Sequence, residues 1–208
     1  NDGGTAMADT ADMKHDFANE MSGPVGSLVR LHREVFSTIE AALAGWFNGF
    51  AARFAFASVL LVYYLNSATN KLGDGSLGFL HPSIGAYASI IPPVFDSYGN
   101  SVENVPFFPW DLIVIVGTLG ELVLPILVVI GLFSRIAAIG MIVFVVVQSY
   151  VDVMYFEVTG KYLGAMFDRF PDAIIFDQRL LWIFVLLIIV VNGPGKLSFD
   201  YLLRRRFG

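Results

Sequence analysis

Residues 111–152 read DLIVIVGTLGELVLPILVVIGLFSRIAAIGMIVFVVVQSYVD, and this stretch decides the fold. Residues 112–133 carry no charge except Glu121, and residues 136–151 carry none. At about 1.5 Å of rise per residue, the first run is long enough as a helix to cross a hydrocarbon core of about 30 Å, and the second nearly so. Ser134 and Arg135 mark the turn between them, with Ser134 placed to cap the helix that follows. The pair is a membrane hairpin with a carboxylate inside its first arm.

Two further apolar runs flank the hairpin. Residues 50–68 form a first span, with Arg53 near its start and Tyr63, Tyr64, Asn66, Asn70 and Lys71 crowding its end. Residues 174–192 form a fourth, with Asp177, Gln178 and Arg179 near its start and Gly193-Pro194-Gly195 stopping it. The whole chain of 208 residues agrees, being 56% hydrophobic with a mean hydropathy of +0.67. That is too apolar for a soluble globule of this size. An outer-membrane barrel needs segments of about ten residues that alternate in and out, whereas these runs are continuously apolar. The expected fold is therefore all-α, an integral membrane four-helix bundle.

Ahead of the bundle, Leu28, Leu31, Val35, Ile39 and Leu43 recur at three to four residues within residues 22–48, while Arg30, Arg33, Glu34 and Glu40 fall mostly elsewhere. This is the period of an amphipathic helix, expected to lie in the membrane interface or on a neighbouring subunit. Residues 1–20 are polar and acidic and lack the basic start and apolar core of a signal peptide. The expected divisions are 1–48, a polar arm plus interfacial helix; 49–203, the transmembrane domain; and 204–208, a basic cytoplasmic tail. Between the first two spans lies a loop rich in Gly, Pro and aromatics, in which residues 83–91 form a short helix and residues 107–110 an aromatic belt.

Several function classes are excluded or disfavoured. The chain has no cysteine, which removes disulfide exchange, thiolate nucleophiles, iron–sulfur clusters and cysteine zinc sites. None of His15, His32 and His81 lies in an apolar run, so intramembrane haem is not expected, and no metal site is. Arg30, Arg33, Arg53, Arg135, Lys196 and Arg204 to Arg206 sort to one side, while the loop after Lys71 has acids and no Lys or Arg before Asp111. By the positive-inside rule both termini are cytoplasmic. The terminal arginines serve orientation and lipid contact, and no nucleic acid partner is expected. Without an internal repeat, a small channel or transporter is a remote alternative.

Chemistry concentrates on Glu121. A charge at the centre of a spanning helix costs about 2.5 to 3.5 kcal/mol on insertion scales, so the acid must face the bundle, be protonated or have a partner. Gly117 and Gly120 let another helix approach, and Pro125 leaves the Glu121 carbonyl without its usual donor. Glu121 and Lys71 are the candidates for any catalytic role. A pocket open to the outer side is expected among Tyr63, Asn66, Asn70, Lys71, Glu121, Gln148, Asp152, Asp177 and Arg179, with Glu121 as its floor. The bland reading of each is a helix-packing hydrogen bond or a helix end reaching water.

The runs Gly120-Glu121-Leu122, Gly131 to Ala138, Asp177-Gln178-Arg179-Leu180-Leu181-Trp182 and Asn192-Gly193-Pro194-Gly195-Lys196-Leu197-Ser198-Phe199-Asp200 resemble the DoxX family of small four-helix membrane proteins, as do Arg53 and Asn70-Lys71-Leu72. The resemblance extends over about residues 50–203. It implies a bacterial cytoplasmic membrane, electron transport, and kinship with quinol oxidase and thiosulfate:quinone oxidoreductase subunits. By that resemblance Arg53, Lys71, Glu121, Arg135, Asp177, Arg179 and Asp200 are positions of interest, and the cofactor to expect is a non-covalent quinone or lipid. The expected role is an accessory subunit that stabilises or positions a membrane protein complex, docked through residues 1–48. The alternative is a quinone-linked oxidoreductase component in which Glu121 exchanges protons. Nothing in the chain carries electrons on its own.

Overall fold

A computed structural model describes residues 23–75 and 77–207; the acidic arm lies outside the described residues. The chain divides into two units, residues 1–44 and 45–208. In the first, α1 (Pro24–Leu43) begins with proline at its first position, where a missing N–H costs nothing. Its stripe of Leu28, Leu31, Val35, Phe36 and Ile39 is exposed, and within its own unit no described residue covers it.

Among the described residues of the second unit, four helices are long and apolar enough to cross a membrane: α2 (Phe47–Lys71), α5 (Phe107–Ile130), α6 (Ser134–Met154) and α7 (Ile174–Asn192). Two short helices, α3 (Ile84–Ile90) and α4 (Pro92–Ser97), occupy the first long loop, and α8 (Phe199–Phe207) closes the chain. Helix α2 packs on α5 and α7, and α6 on α5 and α7, so the spans form a ring in chain order. The core between them is Phe56, Leu60, Tyr64, Val128, Met141, Val145, Leu186 and Ile189 with small Ala52, Ala137 and Ala138. The chain is thus a helical membrane bundle of the expected class.

Each span turns inward by its own period. On α5, Val114, Thr118, Glu121, Pro125 and Val128 are buried. They alternate steps of four and three, the seam of a helix packed at a shallow angle. Glu121 is buried because it occupies a seam position. On α2 the row Ala52, Phe56, Leu60, Tyr64 and Ala68 is buried, a step of four each time. An α-helix would rotate by about 40° per such step. A wide π-type turn over Ala57–Leu61 takes up the extra residue and keeps the row facing inward.

At the tight-turn end, α5 stops at Gly131 with φ 75°, and the N–H groups of Gly131 and Leu132 both reach the Leu127 carbonyl at 3.0 Å. This left-handed glycine closes the helix as a Schellman-type cap does. Beyond it, Ser134 is not the cap of α6. The Phe133 and Ser134 N–H groups donate to the two Asp200 carboxylate oxygens at 2.7 and 2.9 Å, and the Ser134 hydroxyl adds a third bond at 2.7 Å. A full carboxylate at the positive end of a 21-residue helix outcompetes a hydroxyl, so α8 supplies the cap from elsewhere in the chain. Arg53 completes this clamp from α2. It is 6% exposed and donates to the carbonyls of Val129 at 2.8 Å, Pro194 at 3.0 Å and Leu197. Val129 is in the last turn of α5, where a carbonyl has no partner within the helix. Gly49 approaches the Gly193-Pro194-Gly195 backbone so closely that a Cβ there would lie 2.3 Å from the Gly193 carbonyl oxygen. Asp200→Ala should lower stability by about 1–2 kcal/mol, read from the midpoint of SDS-induced unfolding, with Asp200→Asn losing less.

At the opposite end, α3 and α4 build a small core of Ala86, Tyr87, Ile91, Phe95 and Val105 against Val114 of α5. The Tyr87 hydroxyl donates to Asp111. Burial, then this bond, raises the Tyr87 pKa above the usual phenol value. A phenol whose pKa is raised by folding contributes stability below the unfolded value of about 10 and loses it as pH climbs past that point. In an ultraviolet titration Tyr87 should therefore ionise after the exposed tyrosines, and Tyr87→Phe should remove that late step.

Candidate functional site

Lys71 ends α2 and Glu121 sits mid-way along α5, yet the two meet, with Nζ to Oε2 at 2.5 Å. The four-carbon stem of the lysine lets the ammonium reach down from the helix end. Lys71 also donates to the Ser67 hydroxyl at 2.8 Å, one turn back on the same helix. Glu121 is 1% exposed and Lys71 15%. The pair therefore satisfies the insertion requirement while keeping one edge accessible.

That edge opens into a cleft of about 220 Å³. Ser67, Lys71, Ser89, Glu121, Gln148 and Asp152 supply its polar wall, and Ile90, Phe144, Val147, Val151 and Phe156 its apolar one. Four helices contribute, α2, the α3 helix of the loop, α5 and α6, and Phe156 comes from the segment just after α6. Such a mix of convergent polar groups on an apolar surface suits a head group attached to a hydrocarbon tail.

A second pair lies alongside. Arg179 of α7 donates to Asp152 of α6 at 2.5 Å and to the Ser149 hydroxyl at 3.0 Å. Asp152 thus joins the cleft wall to α7, and Arg179 itself is buried behind it. Gln148 donates to the Tyr63 hydroxyl at 3.0 Å. Four buried polar atoms have no hydrogen-bond partner among the described residues: the Tyr64 hydroxyl, the Thr118 hydroxyl, Gln148 Oε1 and Arg179 Nε. They come one from each of the four spans, and of these residues Gln148 lines the cleft.

Of the nine expected pocket residues, Lys71, Glu121, Gln148 and Asp152 line the cleft. Tyr63 and Arg179 stand one bond behind them, on Gln148 and Asp152. Asn66 and Asn70 do not line it; both are exposed, and their backbone carbonyls take bonds from Thr69 and Ser83. Asp177 does not line it either: its carboxylate accepts the Ala173 N–H at 2.8 Å and shapes the entry to α7. Sequence reasoning missed Ser67 and Ser89. Ser67 precedes Lys71 by four residues, a spacing that faces it to the ammonium, whereas nothing in the sequence signals Ser89. Among the described residues no cluster of His, Asp and Glu suits a metal ion.

Ring topology, four apolar spans and a paired acid between them define a multi-pass membrane protein of small bundle type. The DoxX family profile matches residues 42–151, more than half of the chain, and the chain belongs to that family. The match covers the first two spans and the third up to Val151, so Lys71, Glu121, Gln148 and the Arg53 clamp residue fall within it, while Asp152 and the motifs at residues 177–182 and 192–200 lie beyond its end. No curated protein and no solved structure matches the chain.

Proposed function

We propose that this DoxX-family protein is an accessory subunit of an electron-transfer complex in the bacterial cytoplasmic membrane, with both termini cytoplasmic, and that its cleft holds the head group of a quinone or lipid. The observation that carries the ligand half is the Lys71–Glu121 pair, buried in the bundle and open along one edge to an apolar-walled cleft. Lys71 offers a hydrogen bond to a carbonyl or phosphate oxygen, Glu121 accepts one from a hydroxyl, and Phe144, Val147 and Phe156 take the tail. The subunit half rests on a cysteine-free chain and on the exposed apolar stripe of α1. Blue-native electrophoresis with mass spectrometry should find the full chain in a larger assembly and the chain lacking residues 1–45 outside it. Continued co-migration of the shortened chain would refute docking through the arm.

One observation favours a second reading, a component that takes part in quinone reduction. Glu121 is a protonatable group held against the cleft, placed to exchange a proton with a quinone while a partner supplies the electrons. In the assembled complex, Glu121→Gln should then abolish thiosulfate-dependent quinone reduction with quinone still bound. Unchanged turnover would leave the accessory role alone.

A further inference from the structure

We propose that the tight-turn end of the bundle carries a binding site for the phosphate of an anionic phospholipid, seated between Arg135 and Arg204. A cavity of about 480 Å³ opens there, at the opposite end of α5 and α6 from the Asp152 end of the cleft. Its wall combines the start of α6, the Asn192-Gly193-Pro194-Gly195 turn and one face of α8.

The wall charges are sorted for an anion. Asp200 is the acid among the lining residues, and its two oxygens are already engaged by Phe133 and Ser134, so it caps α6 and presents little free acceptor to the cavity. With the helix end occupied, attraction must come from the two guanidinium groups. Arg135 lies over the turn, 3.4 Å from where a Gly193 Cβ would stand, and its one hydrogen bond among the described residues is a long one of 3.4 Å to the Val191 carbonyl. Arg204 sits over the Tyr201 ring. Neither is paired with a carboxylate among the described residues. A guanidinium fork with free N–H groups is suited to bidentate phosphate contact.

The surroundings select a lipid over a soluble phosphate. Beside Arg135, Ile136 and Val191 are 71% and 72% exposed, and Ile139 continues the strip one turn further along α6. These residues belong to helices apolar enough to cross a bilayer. The cavity is thus a polar notch at the end of an apolar track, the arrangement needed by a phosphodiester that carries acyl chains. Glycine at 193 is part of the site: a side chain there would meet the Arg135 guanidinium.

Native mass spectrometry of the full chain in neutral detergent, titrated with short-chain phosphatidylglycerol or phosphatidylcholine, reads the site directly. Phosphatidylglycerol should occupy one site more than phosphatidylcholine does, whatever the cleft beside Lys71 and Glu121 takes up, and each of Arg135→Gln and Arg204→Gln should weaken that additional site about fivefold, the double variant more. Arg205→Gln, on the same helix but outside the cavity wall, should leave it unchanged. Both lining arginines are exposed, so the variants should keep the wild-type SDS midpoint, which confirms that any loss is one of binding. Equal binding of the two lipids, or a preference that survives the double variant, overturns the site. Displacement of the lipid by millimolar inorganic phosphate overturns the lipid assignment.

Discussion

Arg53→Ala should destabilise the bundle by on the order of 4 kcal/mol, the largest effect of any single substitution at the clamp. Three carbonyls depend on this side chain: Val129 at the end of α5, and Pro194 and Leu197 on either side of Lys196. They belong to segments far apart in the chain, and the buried guanidinium ties both to α2. Removal leaves acceptors stranded where few others can reach them, at about 1–3 kcal/mol each. Arg53→Lys keeps the charge but not the planar fork, and should recover less than half of the loss. The measurement is the SDS midpoint of the purified chain, alongside the fraction that inserts and purifies as a monodisperse species. A midpoint within about 0.5 kcal/mol of wild type would mean that water or lipid satisfies those carbonyls instead.

Glu121→Ala should cost about 3 kcal/mol, because it strands the Lys71 ammonium against an apolar wall with Ser67 as its remaining partner. Removing both charges together behaves differently. Lys71→Met with Glu121→Leu replaces a pair whose desolvation offsets much of its attraction, and should lie within about 1 kcal/mol of wild type. The double-mutant cycle should therefore return a coupling of about 2 kcal/mol or more. This separates stability from function: the double variant is folded, retains the apolar wall, and lacks the groups that recognise a head group. A cycle with no coupling would show that the two side chains do not meet in the membrane.

Much of the bundle is legible in the sequence because the bilayer imposes coarse, strong rules. A run such as 112–133 has no other stable place to be. The inward position of Glu121 follows from the same cost, and Lys71 was within reach of it. The finer geometry is set by features that periodicity does not report. On α2, Tyr63 lies seven residues after Phe56 and would share its face in a regular helix. The wide turn at Ala57–Leu61 adds one residue, so Tyr64 turns inward and Tyr63 meets Gln148 from the outside. The same shift carries Asn66 and Asn70 away from the cleft. At the hairpin turn, Ser134 has the right chemistry for a cap, but Asp200 arrives from 66 residues away and takes the position. Such long-range substitution leaves no local signal. Arg179 shows the converse: it and its partner Asp152 are both legible as polar residues at helix ends, but the pairing depends on how α6 and α7 pack, which composition does not encode.

As a head-group site, the cleft beside Lys71 and Glu121 must take up one ligand saturably. Calorimetric titration of the purified chain with a short-tailed quinone, and separately with a short-chain zwitterionic phospholipid, reads it directly. One of the two should bind saturably with a stoichiometry near one, and the folded Lys71→Met/Glu121→Leu variant should bind that ligand at least about tenfold more weakly. Unchanged affinity in the double variant, or no saturable binding of either ligand to the wild-type chain, would contradict the account.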